Sequence, residues 1–201
     1  MNWSKAVEKT IKSIPHVEYE DNYLDVFHQG VTENVYWQGE TVLRAGDPPK
    51  AYCVGSVAET VIKALWWLNL EDIIPTKDIR TFIQYTFVTR DEYKKGVAGA
   101  IESLGWGRIV NVNEDIQYGD MAQMWMVDKD NNHSNGHSVV LLKKGIVNDH
   151  DSFIDWSSSN LEPSGIKEDY HYINKVKNNK HRIWYIGRID VDMILSKYLS
   201  Q

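Results

Sequence analysis

The single cysteine, Cys53, opens a proline-free run, VGSVAETVIKALWWLNL, in which Val57, Ile62, Leu65 and Trp66 recur toward one side. A thiol at the start of such a helix meets unpaired backbone N–H groups and the positive end of the helix dipole, and both favour the thiolate. An ordinary thiol, with a pKa of about 8.5, is only a few per cent ionised at neutral pH. Lowering that pKa by about two units takes about 2.7 kcal/mol of preferential thiolate stabilisation. A helix end supplies about 0.3–1 kcal/mol, so a nearby imidazolium has to supply most of the rest. Nucleophilic chemistry at Cys53 therefore requires a histidine.

Seven histidines are present. His137 follows Asn135-Gly136 and opens the apolar run SVVLL, which gives its ring a rigid base at the first residue of a strand. The others have weaker settings. His133 falls in a loop, His150 near the next turn, His171 and His181 beside a lysine-rich stretch, and His16 and His28 in an irregular N-terminal part. A third group should hold the imidazole in one tautomer and favour its protonated form. In the following run, SFIDWSSSN, Asp155 faces the ring if the two strands pair antiparallel. Period-two alternation puts Ser157 on the same face, with Asn160 farther off. A carboxylate is the stronger partner of an imidazolium, which favours Asp155 and leaves Ser157 in reserve.

The elements that position these groups divide the chain. Helical spacing covers residues 3–14, stopped by Pro15, then the run from Cys53, residues 76–86 after Pro75, and a segment from Asp91 through Leu104 that Gly105 ends. Residues 16–52 read as extended, with a short strand near Asn34–Trp37. The second half reads as β: Met121–Val127, His137–Leu142, Ser152–Ser157 and Arg182–Ile189, followed by a helix from Asp190. DKDNNHSNG, rich in turn residues, joins the first two strands. Helices first and antiparallel strands second, with no repeat or linker, predict one α+β domain over residues 1–201.

Composition narrows the function. The 201 residues include 22 basic and 28 acidic side chains, a net charge of −6, which argues against a nucleic-acid binder. A lone cysteine forms no intramolecular disulfide and no multi-cysteine zinc site. No apolar run approaches the roughly 20 residues needed to cross a bilayer, so no membrane partner is expected. The opening MNWSKAVEKTIKSI lacks the pattern of a secretory signal, which reads as a soluble, cytoplasmic protein or one exported by another route.

The segments VYWQGE, YCVGSV, QYGDMAQMW, NGHSVVLL and FIDWSSS stand in the order found in papain-like cysteine peptidases of the NlpC kind, and the chain resembles that family over about residues 34–160. Tyr36-Trp37-Gln38-Gly39 resembles its aromatic-glycine segment, Cys53-Val54-Gly55 its nucleophile helix, Gly119-Asp120 a strand start, and Gly136-His137 the step to the histidine strand. Tyr52 stands where the family usually has aspartate, Asp155 where it has a second histidine or a polar residue, and a helical insertion follows the cysteine helix. The resemblance implies a papain-like core, with the nucleophile helix on an antiparallel sheet of about four to six strands. It also implies amide hydrolysis through a Cys53 thioester, with His137 as base and Asp155 orienting it. The oxyanion would be held by the Cys53 backbone N–H and a second donor, Tyr36 or Gln38, and Tyr52 and Ser157 join the candidate substrate contacts. The implied substrate is a peptide of the peptidoglycan type. Such hydrolases usually act outside the cytoplasm, so an effector injected into a competitor, with an inhibitor or immunity protein as partner, is one reconciliation.

Plainer readings compete. A lone cysteine in a helix is usually a small buried hydrophobe, Gly119-Asp120 reads as a turn that starts a strand, and Trp66-Trp67 as part core. His133 and His137 are four apart, but Asn131, Asn132, Asn135 and Gly136 break any helix between them. As a calcium loop, DKDNN puts His133 in place of the glycine and Val139 in place of the glutamate. No metal or cofactor is therefore expected. The alternatives are an acyltransferase of the transglutaminase type, running on the same three residues, and a catalytically silent module that keeps the groove.

Overall fold

The computed structural model describes residues 1–19, 29–88, 94–159 and 165–200. Asn2 caps the first helix, α1 (Trp3–Ser13), by accepting from the Lys5 N–H, and Trp3, Ala6, Val7 and Thr10 form its buried face. A two-stranded ribbon follows, β1 (Val35–Trp37) and β2 (Glu40–Leu43). The cysteine helix, α2 (Cys53–Trp67), is buried at nearly every position from Cys53 to Leu65. Burying a side chain such as Ile62 or Leu65 stabilises by about 1.5–3 kcal/mol, so this helix is the spine of the fold. Two helices, α3 (Thr76–Phe87) and α4 (Gly96–Ser103), form the insertion after it. The α4 helix is shorter than the sequence predicts, starting at Gly96, and the expected positions Asp91 and Tyr93 lie outside the described residues. Gly105, at φ 63°, ends it as expected.

The strands β3 (Gly107–Val110), β4 (Asp120–Val127), β5 (His133–Val147), β6 (His150–Ser159), β7 (Gly165–Tyr172), β8 (Val176–Lys177) and β9 (Lys180–Ile189) build one antiparallel sheet, closed off by helix α5 (Val191–Leu199). The order is β3-β9-β4-β5-β6-β7, with β8 paired to β9. The architecture is thus α+β, with seven strands among the described residues where four to six were expected. The sequence reading misses β3, β7 and β8 of this sheet, and β2 of the ribbon, which it takes as loop. β5 also begins earlier than predicted, because His133 and Ser134 already pair with Val127 and Met126 and confine the connection to residues 128–132.

Register decides which side chains meet. Met121 pairs with Val140 and both join the main core with α2, α1 and α4. Their neighbours Ala122, Val139 and Leu141 point the other way, into a second core with Val110, Phe153, Ile173 and Ile186. Gly119-Asp120 takes the structural role predicted for it. The buried Asp120 carboxylate accepts from Arg188 Nε at 2.9 Å and Nη2 at 2.7 Å, and from the Gln117 N–H at 2.9 Å, so it pins β4 to β9. No helix is long and apolar enough to cross a membrane among the described residues.

Candidate active site

Cys53 is the first residue of α2, after Tyr52 in extended conformation. The chain that precedes β1 crosses this first turn. The Tyr52 N–H donates to the Gly30 carbonyl at 2.9 Å, and a Cβ on Gly55 would lie 2.2 Å from that same oxygen and 2.3 Å from the Gln29 carbonyl. The glycine of Cys-x-Gly is therefore a close-approach residue. One turn on, the fully buried Glu59 accepts from the Thr32 N–H at 2.8 Å and hydroxyl at 2.6 Å and pairs with Lys63, which fastens the crossing segment to the helix.

A cavity of about 220 Å³ opens against the helix start, and both Cys53 and His137 line it, with Tyr52, Gln123 and Trp125. His137 is placed by a local irregularity. Asn135 adopts φ 49°, the register slips between Met124 and Met126, and a Cβ on Gly136 would lie 2.4 Å from the Trp125 ring. The sequence Asn-Gly-His thus reads as a bulge that the Trp125 indole fills, followed by the histidine.

The electrostatics differ from the sequence-based expectation of an ion pair. Cys53 is 4% exposed, and burial pushes its thiol up to about 11, against the opposing pull of the Ser138 and Val54 N–H groups and the Tyr52 side chain. Burial also pushes His137 down to about 3, with His171 and Arg182 adding in the same direction. Loss of solvent disfavours the charged form of each group, so the resting pair is a neutral thiol and a neutral imidazole.

Asp155 lies fully buried on the neighbouring strand, opposite Leu141 and so on the same sheet face as His137, as the antiparallel pairing predicts; this is the face of Val139 and the second core, opposite the one on which α2 packs. Its hydrogen bond goes elsewhere. The carboxylate Oδ2 pairs with His171 Nδ1 at 2.7 Å, and it is the His171 ring that packs on His137, with centroids 5.1 Å apart. Asp155 therefore reaches His137 through an intervening imidazole, not directly as the sequence reading has it. Ser157 shares that buried face, and its hydroxyl and Asp155 Oδ1 are buried without a hydrogen-bond partner among the described residues.

Tyr36 and Gln38 do not reach the cavity. Tyr36 is exposed and lines a separate cleft with Trp66 and Trp67, at the far end of α2, about 20 Å along the helix from Cys53. Gln38 is engaged by Glu71 and Thr76. The polar side chain that takes their place on the cavity wall is Gln123, whose amide donates to the Met124 carbonyl and accepts from the Ser138 hydroxyl. Tyr52 does line the cavity.

Among the described residues, no three His, Cys, Asp or Glu side chains converge as metal ligands. Asp128 turns inward on its own loop, accepting from the Asp130 and Asn132 N–H groups at 2.9 Å each. Comparison with protein-family models, with curated proteins and with solved structures finds no match to this chain.

Proposed function

We propose that this protein is a thiol-dependent amide hydrolase that acts on peptides of the peptidoglycan type. The observation that carries the reading is that Cys53, at a helix start, and His137, just past the bulge in β5, line one cavity. The order of the surrounding motifs, which resembles the NlpC kind of papain-like peptidase, supplies the substrate class. In this reading His137 acts as a general base, which requires its ring to turn from the face of Val139 and Leu141 toward Cys53 and its proton affinity to rise when substrate binds. As Cys53 sulfur bonds to the amide carbon, its proton passes to His137, which then delivers it to the leaving amine as the C–N bond breaks. Water, deprotonated by the same imidazole, cleaves the thioester and releases the acid. The Cys53 backbone N–H stabilises the oxyanion, with the Gln123 amide or the Tyr52 hydroxyl as second donor. His171, tied to Asp155, backs the His137 ring.

One observation favours a second reading, a catalytically silent groove-binding module: the thiol is 4% exposed and its pKa is raised, as in a structural cysteine. Incubating wild type and Cys53→Ala with stem peptides of peptidoglycan type, with and without an added amine, separates the possibilities. Hydrolysis lost in the variant supports the hydrolase, an amine-dependent product identifies acyl transfer, and no product from wild type supports the silent module.

A further inference from the structure

At the opposite end of α2 from Cys53, a cleft of about 450 Å³ has an arrangement that the amide chemistry does not use. Its volume lies within the range of small-molecule sites. Two aromatic side chains on its wall are unusually open for their size, Tyr36 at 56% and Trp66 at 46%. Trp66 is held edge-on against Trp67 at 4.5 Å, and the face of Trp67 is covered by Lys9 Nζ at 3.4 Å. The exposed indole is therefore braced from behind.

The polar groups beside the rings are equally fixed. Lys63 Nζ donates to Glu33 Oε1 at 2.5 Å and to the buried Glu59 at 2.6 Å, which holds the Glu33 carboxylate in place and leaves Oε2 as an acceptor. Asn34 Oδ1 accepts from the Ala45 N–H at 3.0 Å, which sets its amide NH₂ as the donor. The one ammonium lining the cleft, Lys63, is already held by two carboxylates, so no anion is called for. Open aromatic faces beside a fixed carboxylate and a fixed amide suit a neutral ligand that has apolar C–H faces and a rim of hydroxyls. We infer that this cleft is a saccharide-binding site, with Trp66 and Tyr36 stacking on pyranose rings and Glu33 and Asn34 hydrogen-bonding their hydroxyls. The inference is independent of Cys53 and of amide turnover.

Isothermal titration with the β-1,4-linked trisaccharides of glucose and of N-acetylglucosamine tests it on the full chain, with tryptophan fluorescence as a second readout. The expected result is saturable binding of at least one of them at millimolar or tighter affinity. Trp66→Ala should weaken that binding by at least about tenfold, as removal of a stacked aromatic anchor does, and Glu33→Gln should weaken it severalfold. Tyr36→Ala, at a more exposed position, repeats the test should Trp66→Ala fail to fold. Absence of binding by either sugar up to about 10 mM, or unchanged affinity in a folded Trp66→Ala or Tyr36→Ala variant, overturns the inference. A titration can fail while amide hydrolysis persists, and the reverse, so the two readings stand or fall separately.

Discussion

Acidification from pH 7 to pH 5 should remove about 2 kcal/mol of folding stability through His137 alone. The folded imidazole is held down to about 3 from an ordinary 6.5, chiefly by burial. Below pH 6.5 the unfolded chain takes up a proton that the folded chain refuses, so protonation favours unfolding. The contribution is fully present above the unfolded value and is lost as pH falls toward the folded one. At 1.36 kcal/mol per pH unit, the loss is about 2 kcal/mol at pH 5 and about 4 kcal/mol at pH 3. The assay is urea unfolding at half-unit intervals from pH 7.5 to pH 5, comparing wild type with His137→Asn, so that the other titrating groups cancel in the difference. The wild type should lose about 2 kcal/mol more than the variant over that interval. Parallel stability curves for the two proteins would refute the claim that His137 is held neutral by its surroundings. The same shift bears on function, since an imidazole held down to about 3 is a weak base at neutral pH, and substrate binding has to raise its proton affinity before it can take the thiol proton.

Three further outcomes follow from the geometry. With its thiol pushed up to about 11, Cys53 should alkylate about 300-fold more slowly at pH 7 than a thiol of pKa 8.5, and the rate should climb roughly tenfold per pH unit. A fast rate with a plateau near pH 7, measured with iodoacetamide, would mean that an ion pair with His137 forms after all. Gly55→Ala drives a methyl group against the Gly30 and Gln29 carbonyls and should cost about 3 kcal/mol, read as a lowered urea midpoint; an unchanged midpoint would mean that the crossing segment gives way freely. Arg188→Met leaves the buried Asp120 carboxylate without its cation and should cost about 3–5 kcal/mol, whereas a loss below about 1 kcal/mol would show that the pair is not what fastens β4 to β9.

The parts of this molecule legible in its sequence are those where local pattern and tertiary role coincide. The apolar run from Cys53 has no proline and no break, and α2 forms where that pattern puts it. His137 and Asp155 lie on adjacent antiparallel strands on one face, as alternation and the intervening turn residues require. The placement of His171 is not legible because GIKEDYHY is a sheet-edge strand, mixed in exposure and largely polar, so it lacks the hydrophobic signal of a core strand. Period-two spacing within that segment, which puts Asp169 and His171 on one face, is the signal that would have found it. Gln123 is equally obscure, inside a strand that is mostly apolar and buried. Tyr36 and Gln38 fall away from the cavity because motif order along the chain carries no distance along a helix, and the ribbon that bears them docks at the far end of α2. The reversed charge preference of the thiol and imidazole follows from burial, which neighbouring sequence does not reveal.

The proposed chemistry requires an acyl group carried on Cys53. Rapid quench of the protein with a peptidoglycan-type stem peptide, followed by intact-mass and peptide mapping, should find the acyl increment on the fragment containing Cys53. The increment should be absent from Cys53→Ala and form far more slowly in His137→Ala. Product formation that continues in Cys53→Ala, or turnover by wild type with the acyl group on another residue, would contradict the account.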